Sequence, residues 1–581
     1  LNKKRLQYIL VFAISFLVYA NTINHSFVLD DDVVFLQNQF VQKGIKGIPD
    51  IVSHGFLYGF NQRNDQSYRP VVLIFYAIEK SIFGNDPTTF HLLNMLYYAL
   101  LCFLLFKLLK ALFQEEDGWL AFGATILFAV HPVHTEVVAN IKGRDDILHA
   151  TFLILSFITA LKYVDLKEKK YLFYSLLTFF LALLCKEMAV TYMALLPLTL
   201  WTFRSVQLKQ IFDTLAYYFA PFALYFILRN IILDTLAFDE EMTVINNGLA
   251  AAESYPEQLA TTFLIFGKYI SLLFFPHPLS WDYSFPQFPI VSFSDPIVLL
   301  IVAILLGLTI FSLLRIKSKD KIAYSFLFFV ISFSVVSNFF ILIGATLGER
   351  FLFFPSIAFC IFMVVLIDKL IKKAIQHKAK GLKVYWILLA IICIPLSLKT
   401  WDRNKDWENN ETLFTSGIEA TPNSSRAVSA YASVLRERGE AATNPAHRQQ
   451  NLEQALEWYQ KSINLYDGNA DAYYNLGVTF MTLNQEGNAL NSFKHAVSLQ
   501  AKHIKALNNI GVLYFRNNRL TEAEGYFQEC LRININFQSA YANLGAIYHN
   551  QGNKDKARRY YQRALELDPN DINTRNNMSK L

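Results

Sequence analysis

Eleven apolar runs crowd into the first four hundred residues, and they leave this chain few ways to fold. They fall at about 6–20, 91–110, 119–137, 146–163, 171–185, 188–203, 211–233, 296–315, 322–344, 351–371 and 384–399. Runs this apolar belong across a bilayer as helices, because a helix satisfies its backbone amides within the segment. Past residue 400 the composition turns polar and rich in Asn, Gln, Glu and Lys. The expectation is a polytopic helical membrane domain over 1–400, followed by a soluble part. With 53% hydrophobic residues, 51 Phe and 30 Tyr, an ordinary soluble protein of 581 residues is excluded. The first run follows Lys3, Lys4 and Arg5 and reads as an uncleaved anchor.

Charge fixes the sides. Lys3, Lys4 and Arg5, Lys107 and Lys110, Lys162 with Lys167, Lys169 and Lys170, Arg204 and Lys209, Arg315 with Lys317, Lys319 and Lys321, and the basic stretch 372–383 share one face if eleven runs cross. The positive-inside rule makes that face cytoplasmic. The formal charge of +6 therefore concerns membrane orientation, and no nucleic acid is expected. Residues 258–275, interrupted by Gly267 and Lys268, are assigned as re-entrant or interfacial so that the count holds. Residues 69–83, carrying Glu79 and Lys80, are placed in the interface. Four of the five cysteines lie in apolar segments and the fifth, Cys530, in the polar part, which argues against a disulfide framework or a zinc site.

The opposite face then collects a distinctive set: Asp30, Asp31 and Asp32; Arg69; His131, His134 and Glu136; Arg144, Asp145 and Asp146; Lys186 and Glu187; Trp281, Asp282 and Tyr283; Glu349 and Arg350. Any one of these can be a snorkelling anchor or a helix-end ion pair. Their gathering on one face marks a functional site. Carboxylates beside cations suit group transfer from a lipid-linked phosphate. Asp30 or Asp31 supplies the base that takes a proton from an attacking hydroxyl. Arg144, Arg350 and Arg69, with Lys186, supply cations for the departing phosphate. His131 and His134 have three readings: ligands of a divalent metal, hydrogen-bonding groups for phosphate or sugar, or internal contacts. A third metal ligand is not evident, and His131 precedes Pro132, which disfavours regular helix there.

The polar part is a repeat. Gly477, Gly511 and Gly545 are 34 apart, as are Ala489, Ala523 and Ala557, and Phe493, Phe527 and Tyr561. This is the tetratricopeptide pattern, with regular units at 470–503, 504–537 and 538–571. A looser unit lies upstream, with a long loop near 441–445, in a repeat domain of about four units over 423–581. Residues 401–422 read as a short linker and half-repeat. The fold class is thus all-α: about eleven spans, then an α-solenoid. Such arrays hold peptides on their inner face, and Asn475, Asn509 and Asn543 are the expected contacts.

In this order, SFVLDDDVVF, SYRPVVLIFY, HPVHTEVVANIKGRDDIL, LCKEMAV, LSWDYSF and GERFLFFPS resemble the transmembrane and tetratricopeptide-repeat O-mannosyltransferase family, within the C-type glycosyltransferase superfamily. The resemblance runs from about residue 5 to the C-terminal end. It implies a polyprenyl-phosphate-linked sugar as donor, mannose or a similar hexose, and a protein Ser or Thr hydroxyl as acceptor. It implies an acid in the first outer loop, matching Asp30 and Asp31, and a second acidic site at Asp145 and Asp146. Asp146 is the better counterpart, because the family has Gly-Arg-Ala-Asp where this chain has Gly143-Arg144-Asp145-Asp146. Arg144, Arg350, Lys186, Arg69, His131, His134 and Glu349 are the donor-binding set. Inversion at the sugar carbon is implied by the class alone. The compartment is a bacterial periplasm, or the endoplasmic reticulum lumen in a eukaryote. Two alternatives stand beside this reading: a ligase or polymerase using a diphosphate-linked oligosaccharide, and a membrane-anchored repeat scaffold without activity.

Overall fold

The computed structural model describes residues 3–62, 67–115, 117–233, 242–375 and 377–581. Among them every regular element is helical. They form two compact units, residues 1–283 with 288–420, and residues 284–287 with 421–581.

In the first unit, capping residues set the long helices. Asp86 accepts from the Thr89 amide at the start of Pro87–Phe113, Pro87 occupies the first turn, and Gln114 ends the helix at φ +54°. Six helices are long and apolar enough to cross a membrane: Arg5–Thr22, Pro87–Phe113, Ile141–Leu166, Leu208–Leu233, Pro296–Ser318 and Ala379–Trp407. Of the apolar window in Ile141–Leu166, 72% is buried inside the protein, against 11% in Pro296–Ser318. The first is therefore a hub and the second borders lipid. Lys169–Cys185 packs along the hub, where the Ser156 hydroxyl donates to the Ser175 carbonyl at 2.8 Å.

Several expected spans take other forms. The run 119–137 is two helices, Trp119–Ala129 and Pro132–Val138, bent by 56°. The break falls at the His131-Pro132 pair, where His131 adopts ψ 124°. The run 322–344 is helical only as far as Phe333, with a tighter turn at Ser334–Val336. Asn338 stops it: at φ +59° its amide accepts from Ile343 N and donates to the carbonyls of Ala345 and Thr346. The run 188–203 is the helix Tyr192–Phe203 entered through a tighter turn, Glu187–Thr191. Residues 258–275 lie in Tyr255–Phe274, which is not among the six.

Pro70–Phe83 is also outside the six, but the reason given for placing it in the interface does not hold for Glu79. Glu79 is buried and paired inside the protein with Arg144. The expected linker 401–422 belongs almost wholly to the first unit. The last long helix runs on to Asn404, and Asn410–Ala420 follows within the same unit.

The second unit is a series of helix pairs: Ser425–Ala441 with Pro445–Leu465, Ala470–Thr482 with Glu486–Leu499, Ile504–Arg516 with Leu520–Ile533, and Gln538–Asn550 with Lys554–Leu567. The first pair turns through residues 442–444, so its looseness comes from longer helices and not from a long loop. Asn484, Asn518 and Gly552 hold the in-phase turns at φ +59°, +57° and +76°. An eight-residue helix, Ile572–Ser579, follows the last pair.

Gly511 shows why the repeat needs its small residues. A Cβ there would lie 2.6 Å from the Phe527 ring. Gly511→Ala is expected to destabilise the repeats by roughly 1–3 kcal/mol through overpacking. Thermal unfolding followed by circular dichroism checks this.

Candidate active site

The loop after the first long helix divides its carboxylates. Leu29 adopts a left-handed conformation, φ +48°, and the chain turns helical from Asp30. Asp31 points inward and is fully buried. Its Oδ2 accepts the Val28 amide at 3.0 Å and its Oδ1 the Lys142 amide at 2.7 Å. Burial pushes its carboxyl up to about 7, against the opposing pull of those amides. Asp31 thus joins the first loop to the segment before the second acid pair. Asp30 is exposed, and among the described residues its carboxylate has no hydrogen-bond partner.

The second acid pair sits in a cage of cations. Asp145 Oδ2 receives Arg69 Nη1 at 2.8 Å, with Lys142 Nζ and Lys186 Nζ each at 3.6 Å. Lys186 Nζ lies 2.6 Å from Asp146 Oδ2. Glu187 grips the same Arg69, accepting from Nε at 3.0 Å and Nη2 at 2.6 Å. Burial would raise the Glu187 carboxyl, but the Arg69 guanidinium overrides it and holds the group down at about 2. Local backbone fixes this geometry. Gly143 precedes the pair, and a Cβ there would meet the Val137 carbonyl oxygen at 2.2 Å. No side chain fits that approach.

Arg350 comes from a turn, Glu349–Leu352. The bend at His131 and Pro132 leads into Thr135–Val138, which presents Glu136. Glu136 accepts the Arg350 backbone amide at 2.9 Å and pairs with its Nη1. The Arg350 side chain is 29% exposed, and its Nε and Nη2 have no further partner among the described residues. Asp30 and Asp146 both lie within electrostatic reach of its guanidinium. The structure thereby brings together Asp30, Asp31, Asp145, Asp146, Lys186, Arg69 and Arg350.

Four residues of the expected donor-binding set do not face this site. Arg144 is fully buried among the rings of Tyr76, Tyr97 and Phe90. Its donors go to Asn94 Oδ1 at 2.7 Å, the Phe90 carbonyl at 3.1 Å, and Glu79. With no exposed surface and each of its three nitrogens engaged, it presents nothing to a phosphate in the site. His131 is buried with its Nε2 on the Leu273 carbonyl at 2.9 Å, and buried His134 has its Nε2 on Ser356 Oγ at 2.8 Å. Of the three readings of this pair, internal contact is the one the structure shows. Among the described residues no group of three His, Cys, Asp or Glu could hold a metal ion. Glu349 is fully buried, with Oε1 accepting the Ser280 amide at 2.6 Å and the Tyr283 hydroxyl at 2.8 Å.

In the repeat unit, Asn475, Asn509 and Asn543 are half-buried. Asn543 Nδ2 donates to Asn508 Oδ1 at 2.9 Å, and Asn509 hydrogen-bonds Tyr474. Two of the three thus tie one repeat to the one before it, a role the sequence reading did not include.

Residues 66–232 match the family of dolichyl-phosphate-mannose-protein mannosyltransferases. Tetratricopeptide-repeat families match residues 446–484, 470–503, 503–535 and 539–571. The protein O-mannosyl-transferase TMTC3 of Homo sapiens is 25% identical over 82% of this chain and 53% of its own length. TMTC2 of Homo sapiens is 25% identical over 71% of this chain and 58% of its own, and TMTC4 of Mus musculus 28% over 70% and 61%. In both its parts the chain is similar to these protein O-mannosyl-transferases. It spans a little over half the length of the curated relatives it matches. The mannosyltransferase match contains Arg69, Asp145, Asp146, Lys186 and Glu187, but neither Asp30 nor Arg350.

Lys142, whose amide holds Asp31 and whose ammonium faces Asp145, was missed in the sequence reading. The signal was present: it stands beside Gly143 on the same outer stretch. Glu349, like Asp31, has its carboxyl raised to about 7 by burial. A carboxyl raised on folding lends stability that is full below its unfolded value, near 4.5, and is lost as pH rises through about 7. The Glu349 contribution is therefore expected to fall between pH 5 and 8, while buried His25, whose imidazole is held below its usual value by burial, contributes in the opposite sense over that range. Glu349→Gln should remove the Glu349 component, on the order of 3 kcal/mol, read as the difference between variant and wild type in detergent-phase thermal unfolding across pH.

Proposed function

We propose that this protein transfers a mannosyl residue from a polyprenyl-phosphate carrier to Ser or Thr hydroxyls of a protein acceptor, on the non-cytoplasmic face. The observation that carries this reading is an exposed carboxylate, Asp30, without a hydrogen-bond partner among the described residues and within electrostatic reach of an arginine, Arg350, whose Nε and Nη2 remain open. The acceptor hydroxyl gives its proton to Asp30, and its oxygen attacks the sugar carbon. The bond from that carbon to the phosphate oxygen breaks with inversion, and the negative charge gathering on the phosphate is met by Arg350. Glu136 fixes Arg350 from behind, so the guanidinium is oriented before the donor arrives. Arg69, Lys142 and Lys186 are occupied by Asp145 and Asp146, and they hold the floor of the site at fixed charge.

A crevice of about 470 Å³ supports a lipid-linked donor. It is almost wholly apolar, lined by Ile270, Phe274, Ile304, Leu308, Phe329 and Phe359. Leu273, whose carbonyl accepts from His131, is in its wall, so it abuts the bend that carries Glu136. A prenyl chain is the occupant this position fits. The repeats are the natural holder of the acceptor peptide, and the names of the relatives support mannose as the sugar.

Asp30→Asn is expected to lower transfer of labelled mannose to a Ser/Thr peptide by about 10²–10⁴-fold, the usual worth of a general base. Unchanged transfer by the folded variant would reject the assignment. Ile304→Trp should raise KM for a long-chain donor and leave a short-chain, water-soluble donor unaffected, in the same assay.

A further inference from the structure

The turn that presents Asp30 is held from the far end of the first unit. Past its apolar stretch the helix Lys378–Asn404 continues into Lys405–Trp407 and then Asn410–Ala420. This segment meets the end of the first long helix at one point and the first loop at two. Asn404 Nδ2 donates to the Val18 carbonyl at 3.0 Å, the Glu408 carbonyl accepts the Ser26 amide at 2.9 Å, and Asn410 Oδ1 accepts the Leu29 amide at 3.0 Å. Trp407 and Leu413 cluster with Val28, with Leu29 and Phe414 packed against them.

Leu29 is the residue immediately before Asp30, and it sits at φ +48°, a region that residues with a Cβ avoid. Such a conformation persists only where surrounding contacts over-determine it. Within the loop the Asp32 amide donates to the Leu29 carbonyl at 3.3 Å and Asp31 takes the Val28 amide; the Asn410 acceptor is the side-chain contact on the Leu29 amide from outside the loop. A relaxed Leu29 would turn the following carboxylate away from Arg350.

We propose that Asn410 is a positioning residue for Asp30. By accepting the Leu29 amide it holds the left-handed turn and sets the Asp30 carboxylate outward beside Arg350. This rests on the reading of Asp30 as the base.

The test uses the full chain in nanodiscs, with polyprenyl-phosphate mannose and a Ser/Thr peptide. Asn410→Ala should lower kcat about tenfold while donor KM stays within about twofold, since the lost contact acts on the reacting carboxylate and not on donor binding. Hydrogen exchange at amides 27–31 should accelerate in the same variant, with exchange in the repeats at 421–581 unchanged. Asn410→Asp keeps the acceptor oxygen and should restore both. The proposal is overturned if Asn410→Ala matches wild type in kcat, or if Asn410→Asp is as impaired as Asn410→Ala. It is also overturned if exchange at 27–31 does not change. Full transfer by Asp30→Asn would remove the base itself, and with it the catalytic half of the proposal. The exchange data decide separately whether Asn410 pins the turn.

Discussion

Charge buried away from water must be matched, and this requirement organises the first unit. Arg144 has no exposed surface, and Glu79, Asn94 and a carbonyl of Phe90 take its donors within a box of three aromatic rings. That one side chain joins Pro70–Phe83, Pro87–Phe113 and the start of Arg144–Leu166. Removing one partner of such a buried pair typically costs about 3–5 kcal/mol, because the other charge is left uncompensated. The next residues, Asp145 and Asp146, repeat the solution with Arg69, Lys142 and Lys186. Two neutralised knots, adjacent along the chain, underlie the site.

Beside these knots the open groups are few, and this separates chemistry from scaffolding. Asp31 and Asp30 are neighbours of one residue type, yet one is buried on two backbone amides and the other meets solvent unpaired. Glu349 and Arg350 divide the same way, the carboxylate inward on Ser280 and Tyr283, the guanidinium half-open and braced by Glu136. In each pair the inward member aims its neighbour. The site is preorganised through adjacency along the chain, with the orienting energy drawn from burial.

Much of this was legible in the residues alone. The 34-residue recurrence of Gly477, Gly511 and Gly545 fixed the repeats, because each glycine answers an aromatic ring sixteen positions on, and both recur together. Asp30, Asp31, Asp145, Asp146, Lys186 and Arg350 were gathered as one set by counting crossings and basic loops, and the structure places them near one another through the contacts of Arg69, Lys142, Lys186 and Arg350. What the residues could not show was pairing. Arg144 looked like a phosphate ligand until Glu79, 65 positions away, was seen to occupy it. His131 and His134 looked like ligands until their partners proved to be Leu273 and Ser356. Helix breaks were hidden for a related reason: the Asn338 side chain is held by the carbonyls of Ala345 and Thr346 just ahead and by the Asn247 amide 91 positions back.

The tie between Leu29 and Asn410 spans 381 residues, and that distance bears on how the molecule is made. The anchor helix and first loop leave the ribosome early, while the asparagine that fixes the loop is among the last parts of the unit to be synthesised. Contacts so remote in order form late, after the intervening segments have been threaded into the bilayer. A nascent chain that has not yet reached Asn410 lacks the contact that caps the Leu29 amide, so its acidic loop is left without that tether throughout insertion.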